Sequence, residues 1–432
     1  MEKKKKKKNV LTLTEKHIID KTNPWFEMLK EYCHLSKNLY NHALYILRQH
    51  YFDFVLVNYK ELYHIERHIY PYDYTNMPTA QSAQQTLRKI IGDFSSFVTL
   101  NKNYKNNPKK YSGRPKMPRY KKKDGHCTLI LTNQNCKLRN NDVIDFPKTF
   151  KGFQIKTHCT KNKRFVSFQQ VQIRYYRGKI YIDVLYDVKK DDKLKSNRYC
   201  GIDLGVENFA ALAFNCNVKP LLIKGGKLKS INRLFNKKLA YYKSRLAKCQ
   251  SKETNKHLKK DQTTSKMIAT LCRKRYNRIN NCYHKIAKMI VEYCLKNDVG
   301  TIIVGKNKNW KKGKERMQNF VFLSHSRFIE ILEYKCEIAG LTLEVVHERY
   351  TSGTSFLDKE SPTKNNYDKK QRIHRGLFKT KKNKYINADI NAAYQMMKKY
   401  KKEDETGNAL RVYFPRHSWY KISTDLISIS MY

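Results

Sequence analysis

This sequence is short of acids, of paired cysteines and of long apolar runs. It holds 37 Asp and Glu against 89 Lys and Arg, a formal net charge of +52 on 432 residues. A compact chain so charged repels itself, and a polyanion relieves the repulsion. No apolar run approaches the ~20 residues needed to cross a bilayer, so a soluble protein is expected. The six lysines Lys3 to Lys8 are followed by no apolar segment, so a secretory signal is not expected there. The 11 cysteines are widely scattered and none stands in a C-x-x-C pair. Odd number and spacing predict reduced thiols in an intracellular protein, and exclude a zinc ribbon of the usual pattern. Full disorder is excluded as well, since 40% of residues are hydrophobic and 12% aromatic.

Nucleic acid is the polyanion that fits the charge, because each Lys or Arg that meets a phosphate releases counterions. A ribosomal type of RNA binder fits equally well. An anionic membrane fits poorly, for want of a long basic amphipathic helix with an aromatic face.

Apolar periodicity divides the chain. Residues 9–20 read as one edge strand. Residues 24–100 read as helices, with Trp25, Phe26, Leu29, Tyr32 and Cys33 at helical spacing and a helix opening at Thr79 after Pro78. Then comes a basic loop with Pro, Gly and Tyr, in which Lys109, Lys110, Arg114, Lys116, Arg119, Tyr120, Lys121 and Lys122 are the candidate nucleic-acid contacts; a flexible basic linker is the alternative. Residues 127–190 read as short strands, with a hairpin at Arg177-Gly178, and suggest a small barrel. A charged linker covers 189–198. Strands are expected over 199–214, 219–223, 301–304 and 341–347. Residues 227–297 read as two antiparallel basic helices whose apolar side carries Leu234, Leu239, Leu246, Ile279, Ile286, Met289 and Ile290. Helices are expected near 320–339, ending at Gly340, and over 388–399, capped by Asn387.

Three acids sit in unusual settings. Asp203 lies inside an apolar strand, where a carboxylate is costly unless a cation compensates it. Glu348 ends a strand, and Asp389 begins a helix. Three carboxylates on two strand ends and one helix start can converge on divalent cations, and hard oxygen ligands suit Mg²⁺ or Mn²⁺. A pair of such ions would activate water and stabilise the leaving oxygen in phosphodiester hydrolysis. Gly201 and Gly205, beside Asp203, are read as room for a phosphate backbone. Each acid taken singly also has a structural reading: a turn or cap for Asp203, an ion pair for Glu348, a dipole-favoured helix acid for Asp389.

At these residues the chain resembles the TnpB/Fanzor family of transposon-encoded RNA-guided DNA endonucleases, relatives of type V CRISPR nucleases. The resemblance runs over roughly 24–400. It rests on Lys37-Asn-Leu-Tyr-Asn-His-Ala-Leu-Tyr with Arg48-Gln49, on Gly113-Arg-Pro-Lys-Met-Pro-Arg-Tyr-Lys, and on Gly201-Ile-Asp-Leu-Gly-Val-Glu-Asn. The motifs Gly305-Lys-Asn-Lys-Asn-Trp-Lys, Glu348-Arg-Tyr-Thr-Ser-Gly-Thr-Ser-Phe-Leu-Asp and Asn387-Ala-Asp-Ile-Asn-Ala-Ala complete it. The resemblance implies an α+β multidomain fold. A RuvC-like nuclease domain with an RNase H-like mixed sheet would occupy 198–404, with a basic helical insertion at 227–297. A β-barrel wedge would use 1–23 and 101–197, interrupted by a helical recognition domain at 24–100, and 405–432 would be a tail. It implies a guide RNA from the element itself, a double-stranded DNA target beside a short adjacent motif, and Asp203, Glu348 and Asp389 as catalytic metal ligands for Mg²⁺ or Mn²⁺. Two departures matter. Many relatives place the second acid directly after the strand 301–304, where this chain has Gly305, so the role passes to Glu348; Glu344 is a weaker substitute on the same strand face. Many relatives also carry four cysteines before the last Asp, whereas 349–388 contain none, so no structural zinc is expected and the segment must fold without it or stay loose. A guided DNA binder without cleavage and a DNA transposase are the alternatives. Lys3 to Lys8 would be a nuclear signal or a solvated arm, with the nucleus as location in a eukaryotic host and the cytoplasm or nucleoid in a prokaryotic one.

Overall fold

The computed structural model describes residues 9–140, 142–251, 264–306, 323–403 and 427–429. The lysine run 3–8, the part of the Trp310 motif beyond 306 and most of the tail lie outside them. The chain divides into two compact units, residues 1–190 and 191–432, and the division falls inside the charged segment 189–198.

The N-terminal unit begins with β1 (Val10–Ile19). Four helices follow: α1 (Phe26–Phe52), α2 (Tyr59–His64), α3 (Tyr72–Thr75) and α4 (Ala80–Asn106), with a π-helical turn at Ile65–Ile69. Thr79 starts α4 as read from the sequence. Its hydroxyl accepts from Ser82 N while Ser82 Oγ accepts from Thr79 N, a reciprocal cap that satisfies two otherwise orphaned donors. The helix then outruns the expected limit at 100 and ends at Asn106, the residue before Asn107-Pro108.

Strands β2 (Leu129–Thr132), β3 (Lys137–Leu138), β4 (Val143–Asp145), β5 (Gln154–Lys156), β6 (Phe165–Tyr176) and β7 (Lys179–Lys189) complete the unit. Arg177 and Gly178 turn β6 into β7 with φ of 49° and 73°, the twist a tight hairpin requires. The barrel reading is corrected here: the described strands form two open antiparallel sheets, β1-β7-β6-β2 and β3-β4-β5. β1 and β2 end the larger sheet on opposite sides and share no ladder. Helices and strands bury one continuous core that includes Phe26, Leu39, Leu44, Leu87, Leu129, Val171 and Ile182.

The C-terminal unit is built on a six-stranded mixed sheet of β8 (Tyr199–Leu204), β9 (Asn208–Phe214), β10 (Leu221–Lys224), β11 (Thr301–Lys306), β12 (Thr342–His347) and β15 (Ile427–Ile429), in the order β12-β11-β8-β9-β10-β15. Between β10 and β11 run α5 (Gly226–Ser251) and α6 (Lys266–Lys296). α7 (His325–Ile338) precedes β12. The hairpin β13 (Leu377–Lys379) and β14 (Tyr385–Asn387) leads into α8 (Ala388–Glu403).

Period-two alternation sorts the strand residues between two cores. Cys200, Ile202, Leu204, Ala210, Leu212, Ile302 and Val304 join α6 and α7 on one face. Ala211, Ala213, Ile303 and Val346 join α8 and the hairpin on the other. The helical pair is as expected except at Leu234, which is exposed, while Ile279, Ile286 and Ile290 are buried.

Candidate functional site

Asp203 follows Ile202 on β8, so alternation turns it away from the α6–α7 core and toward α8. Asp389 lies in the first turn of α8. Asn387 caps that turn, its Oδ1 accepting from Asp389 N at 3.0 Å and Ile390 N at 3.1 Å. Glu348 stands just beyond the end of β12. Its backbone is tied down by Thr351 Oγ1, which donates to Glu348 O at 2.9 Å, and by α8 itself, since Lys399 Nζ donates to His347 O at 2.8 Å. The three acids line one cleft of about 600 Å³ together with Asn208, Arg372 and Arg375.

Their mutual field is the electrostatic signature of the cleft. Burial pushes the Asp203 carboxyl well up, and the charges of Asp389 and Glu348 push it further, with Arg372 opposing. Burial alone raises the Glu348 carboxyl to about 7. Acids crowded this way favour a cation between them. Part of that demand is met by the protein: Arg372 Nη2 reaches Asp389 Oδ1 at 3.2 Å, and Asn208 Nδ2 donates to Asp389 Oδ2 at 2.8 Å. Among the described residues no group of three or more His, Cys, Asp or Glu side chains stands close enough to hold a metal ion as it is. The carboxylate oxygens lining the cleft are of the hard type a divalent ion takes, and the guanidinium marks where positive charge is wanted.

Two glycine readings are revised. A Cβ on Gly201 would lie 2.2 Å from Ala393 O of α8, and one on Gly205 would lie 2.5 Å from Asn208 O. Gly201 admits the backbone of α8, which brings Asp389 onto β8, and Gly205 admits the Asn208 carbonyl in the turn into β9. Gly305 sits on the same face of β11. A Cβ there would lie 2.6 Å from Glu348 Cγ and 2.5 Å from Met396 Cε. The missing side chain is the space through which Glu348 reaches the cleft.

Sequence reasoning missed Arg372, Arg375 and Asn208. Asn208 was visible inside the Gly201–Asn208 motif, but no spacing ties a basic residue at 372 to an acid at 389. The cysteine-free segment 352–385 is folded. Phe356 N donates to Asn391 Oδ1 at 2.9 Å, Asn391 Nδ2 donates to Thr354 O at 2.8 Å, and Phe356, Phe378 and Ile386 are buried.

The candidate nucleic-acid residues Lys109, Lys110, Arg114, Lys116, Arg119, Tyr120, Lys121 and Lys122 are all exposed, in the N-terminal unit. A 3₁₀ turn covers Pro108–Lys110. The end of this loop is docked on α1: Asn41 exchanges hydrogen bonds with the Lys121 backbone at 2.8 and 3.0 Å, Lys37 Nζ donates to Lys123 O at 2.9 Å, and Arg48 covers the Tyr120 ring at 4.9 Å. No helix among the described residues is long and apolar enough to cross a membrane.

Two family models match parts of the chain. Residues 183–311 match OrfB_IS605, a probable transposase, and residues 325–396 match the TNB domain of Cas12f1-like proteins. The CRISPR-associated endodeoxyribonuclease Cas12f1 of Syntrophomonas palmitatica is 24% identical over 213 residues, which cover 47% of this chain and 40% of that protein. The Cas12f1 of Sulfoacidibacillus thermotolerans is 26% identical over 232 residues, covering 53% and 52%. The chain therefore spans about half the length of these curated relatives. The cryo-EM structure of a Cas12f1–sgRNA–target DNA complex shares the fold, with a TM-score of 0.56 at 18% identity over 86% of this chain and 82% of that one.

Proposed function

Taking the chain as a member of the TnpB-like RuvC nuclease family, we propose that it is an RNA-guided DNA endonuclease that binds a guide RNA and hydrolyses double-stranded DNA beside a short adjacent motif. The observation that carries this reading is the meeting of Asp203, Glu348 and Asp389, from β8, the end of β12 and the start of α8, in one cleft. Asp203, Glu348 and Asp389 would hold Mg²⁺ or Mn²⁺, and such ions, when bound, supply an activated water and neutralise charge on the leaving oxygen. The chain's own groups have separate work. Asn208 orients the Asp389 carboxylate, Gly305 gives Glu348 its path, and Arg372 and Arg375 present positive charge to an entering phosphodiester. The sheet domain would be the RuvC nuclease, and the N-terminal unit the wedge with its helical recognition part. The exposed loop 109–122 would grip nucleic acid, and a transposable element would encode both protein and guide.

The test is Asp203→Ala. Cleavage of a matched plasmid should vanish while the copurified guide RNA is retained, because phosphate contacts in guided systems lie largely outside the cutting centre. Equal loss of cleavage and RNA would reject the assignment. A guided binder that does not cut is the second reading, favoured by Asp389 being already engaged by Arg372 and Asn208. A wild-type chain that retains RNA and target DNA without nicking either strand in Mg²⁺ or Mn²⁺ would establish it.

A further inference from the structure

The N-terminal unit contains a second built site, far from any role given to the three acids. α1, the π-helical turn and α3 border an open pocket of about 640 Å³ whose lining includes His42, Ile69, Tyr70, Pro71, Tyr72 and Asp73. Behind it lies Glu66, a carboxylate with no exposed surface. Both of its oxygens stand 3.0 and 3.1 Å from His42 Nδ1. Burying such a pair rarely stabilises a fold more than apolar residues of the same volume would. Glu66 also sits in the π-helix Ile65–Ile69, a wide turn that recurs at functional sites. Both features point away from simple packing.

What the pair achieves is orientation. Glu66 takes the Nδ1–H of His42 and draws positive charge onto the imidazole, as its upward shift by this hydrogen bond records. Nε2 is then the nitrogen left for the cavity, and it donates when a bound acceptor holds the ring as the imidazolium that Glu66 favours. Asp73 supplies an acceptor on the opposite chain segment, near enough that the His42 charge acts on it. Two other charged groups bear on Asp73: Lys37, whose ammonium is already bonded to Lys123 O, and the Glu66 carboxylate. The rim is aromatic: the Tyr70 ring stands edge-on to His42 at 5.4 Å, and Tyr70 and Tyr72 are 55% and 77% exposed. Flat exposed rings beside a paired donor and acceptor match an unstacked nucleobase. Guanine is the common base that offers two adjacent N–H groups to both oxygens of a carboxylate, with O6 and N7 acceptors on its other edge.

We propose that this cavity holds one unpaired guanine of a bound RNA or DNA strand, stacked on Tyr70 or Tyr72, with Asp73 accepting from N1–H and N2–H and His42 donating to the acceptor edge. The proposal rests on the nucleic-acid reading of the chain but is independent of cleavage. The probes are single-stranded heptamers of uridine with G, A, C or U at the centre, and their deoxy equivalents, binding the full chain by fluorescence anisotropy at raised salt. Wild type should prefer the G-centred heptamer about tenfold, within the range of one bidentate base contact. Asp73→Asn should abolish that preference. Tyr72→Ala, at an exposed position, should weaken every heptamer alike. Because His42→Ala would strand the Glu66 charge, the double variant His42→Leu/Glu66→Leu keeps the core filled and should also lose the preference. Equal binding of all heptamers by wild type, or a preference that survives Asp73→Asn, overturns the guanine site alone. Binding of none overturns the nucleic-acid reading with it. A preference confined to the ribo or deoxy series identifies the strand as RNA or DNA.

Discussion

Gly305 offers the sharpest test of how the cleft is assembled. Adding one methyl group there, Gly305→Ala, places a carbon 2.6 Å from Glu348 Cγ, 2.6 Å from Met396 Sδ and 2.5 Å from Met396 Cε. The Met396 methyl is the end of a flexible chain and can swing aside. Glu348 Cγ cannot recede without carrying its carboxylate along. An ordinary contact begins near 3.4 Å, so the group must shift by roughly 0.8 Å, and a misplacement on the order of 1 Å at a reacting centre can cost about 100-fold in rate. Overpacking itself destabilises by about 1–3 kcal/mol. Single-turnover cleavage with the guide complex should therefore fall about 100-fold, while the melting temperature drops by only a few degrees. Met396→Ala added to Gly305→Ala relieves the thioether contacts but not the Glu348 Cγ contact, so cleavage should stay low. A Gly305→Ala protein cutting within twofold of wild type would show that Glu348 does not need this path, and the reasoning would fail.

Two further outcomes follow from the electrostatics. The Glu348 carboxyl is raised to about 7 by burial, so the folded state holds its proton more tightly than the unfolded chain. In chelator-treated protein, stability should accordingly fall as pH rises from about 4.5 through 7, by about 2 kcal/mol after discounting partial exposure. Thermal denaturation across that window should lose this slope in Glu348→Gln, and an unchanged slope would place the titration elsewhere. Arg372 shares Asp389 with any entering ion. Arg372→Gln should thus tighten Mn²⁺ binding to the free protein severalfold by calorimetry while slowing DNA cleavage; weaker Mn²⁺ binding would contradict the competition.

Much of this protein was legible from its residues. Local rules sufficed for β8, for the Arg177-Gly178 turn, for the Asn387 cap and for the start of α4, because each depends on neighbours a few positions away. The charge of +52 pointed to a polyanion without any fold. Asp203 stood out because a carboxylate in an apolar strand is anomalous by itself. Other features depended on which distant segments touch. Whether the strands of the N-terminal unit closed into a barrel was decided by ladder pairing. Gly201 could be recognised as a glycine needing room, but only the position of α8 shows that Ala393 fills it, and only the end of β12 shows that Glu348 fills the space beside Gly305. Arg372 on Asp389 and Glu66 beneath His42 are likewise pairings over sequence distances that no periodicity constrains. Charge and pattern are properties of the chain taken a few residues at a time, whereas steric exclusion and Coulombic pairing act through space, and for those the sequence carries the consequence only after it has folded.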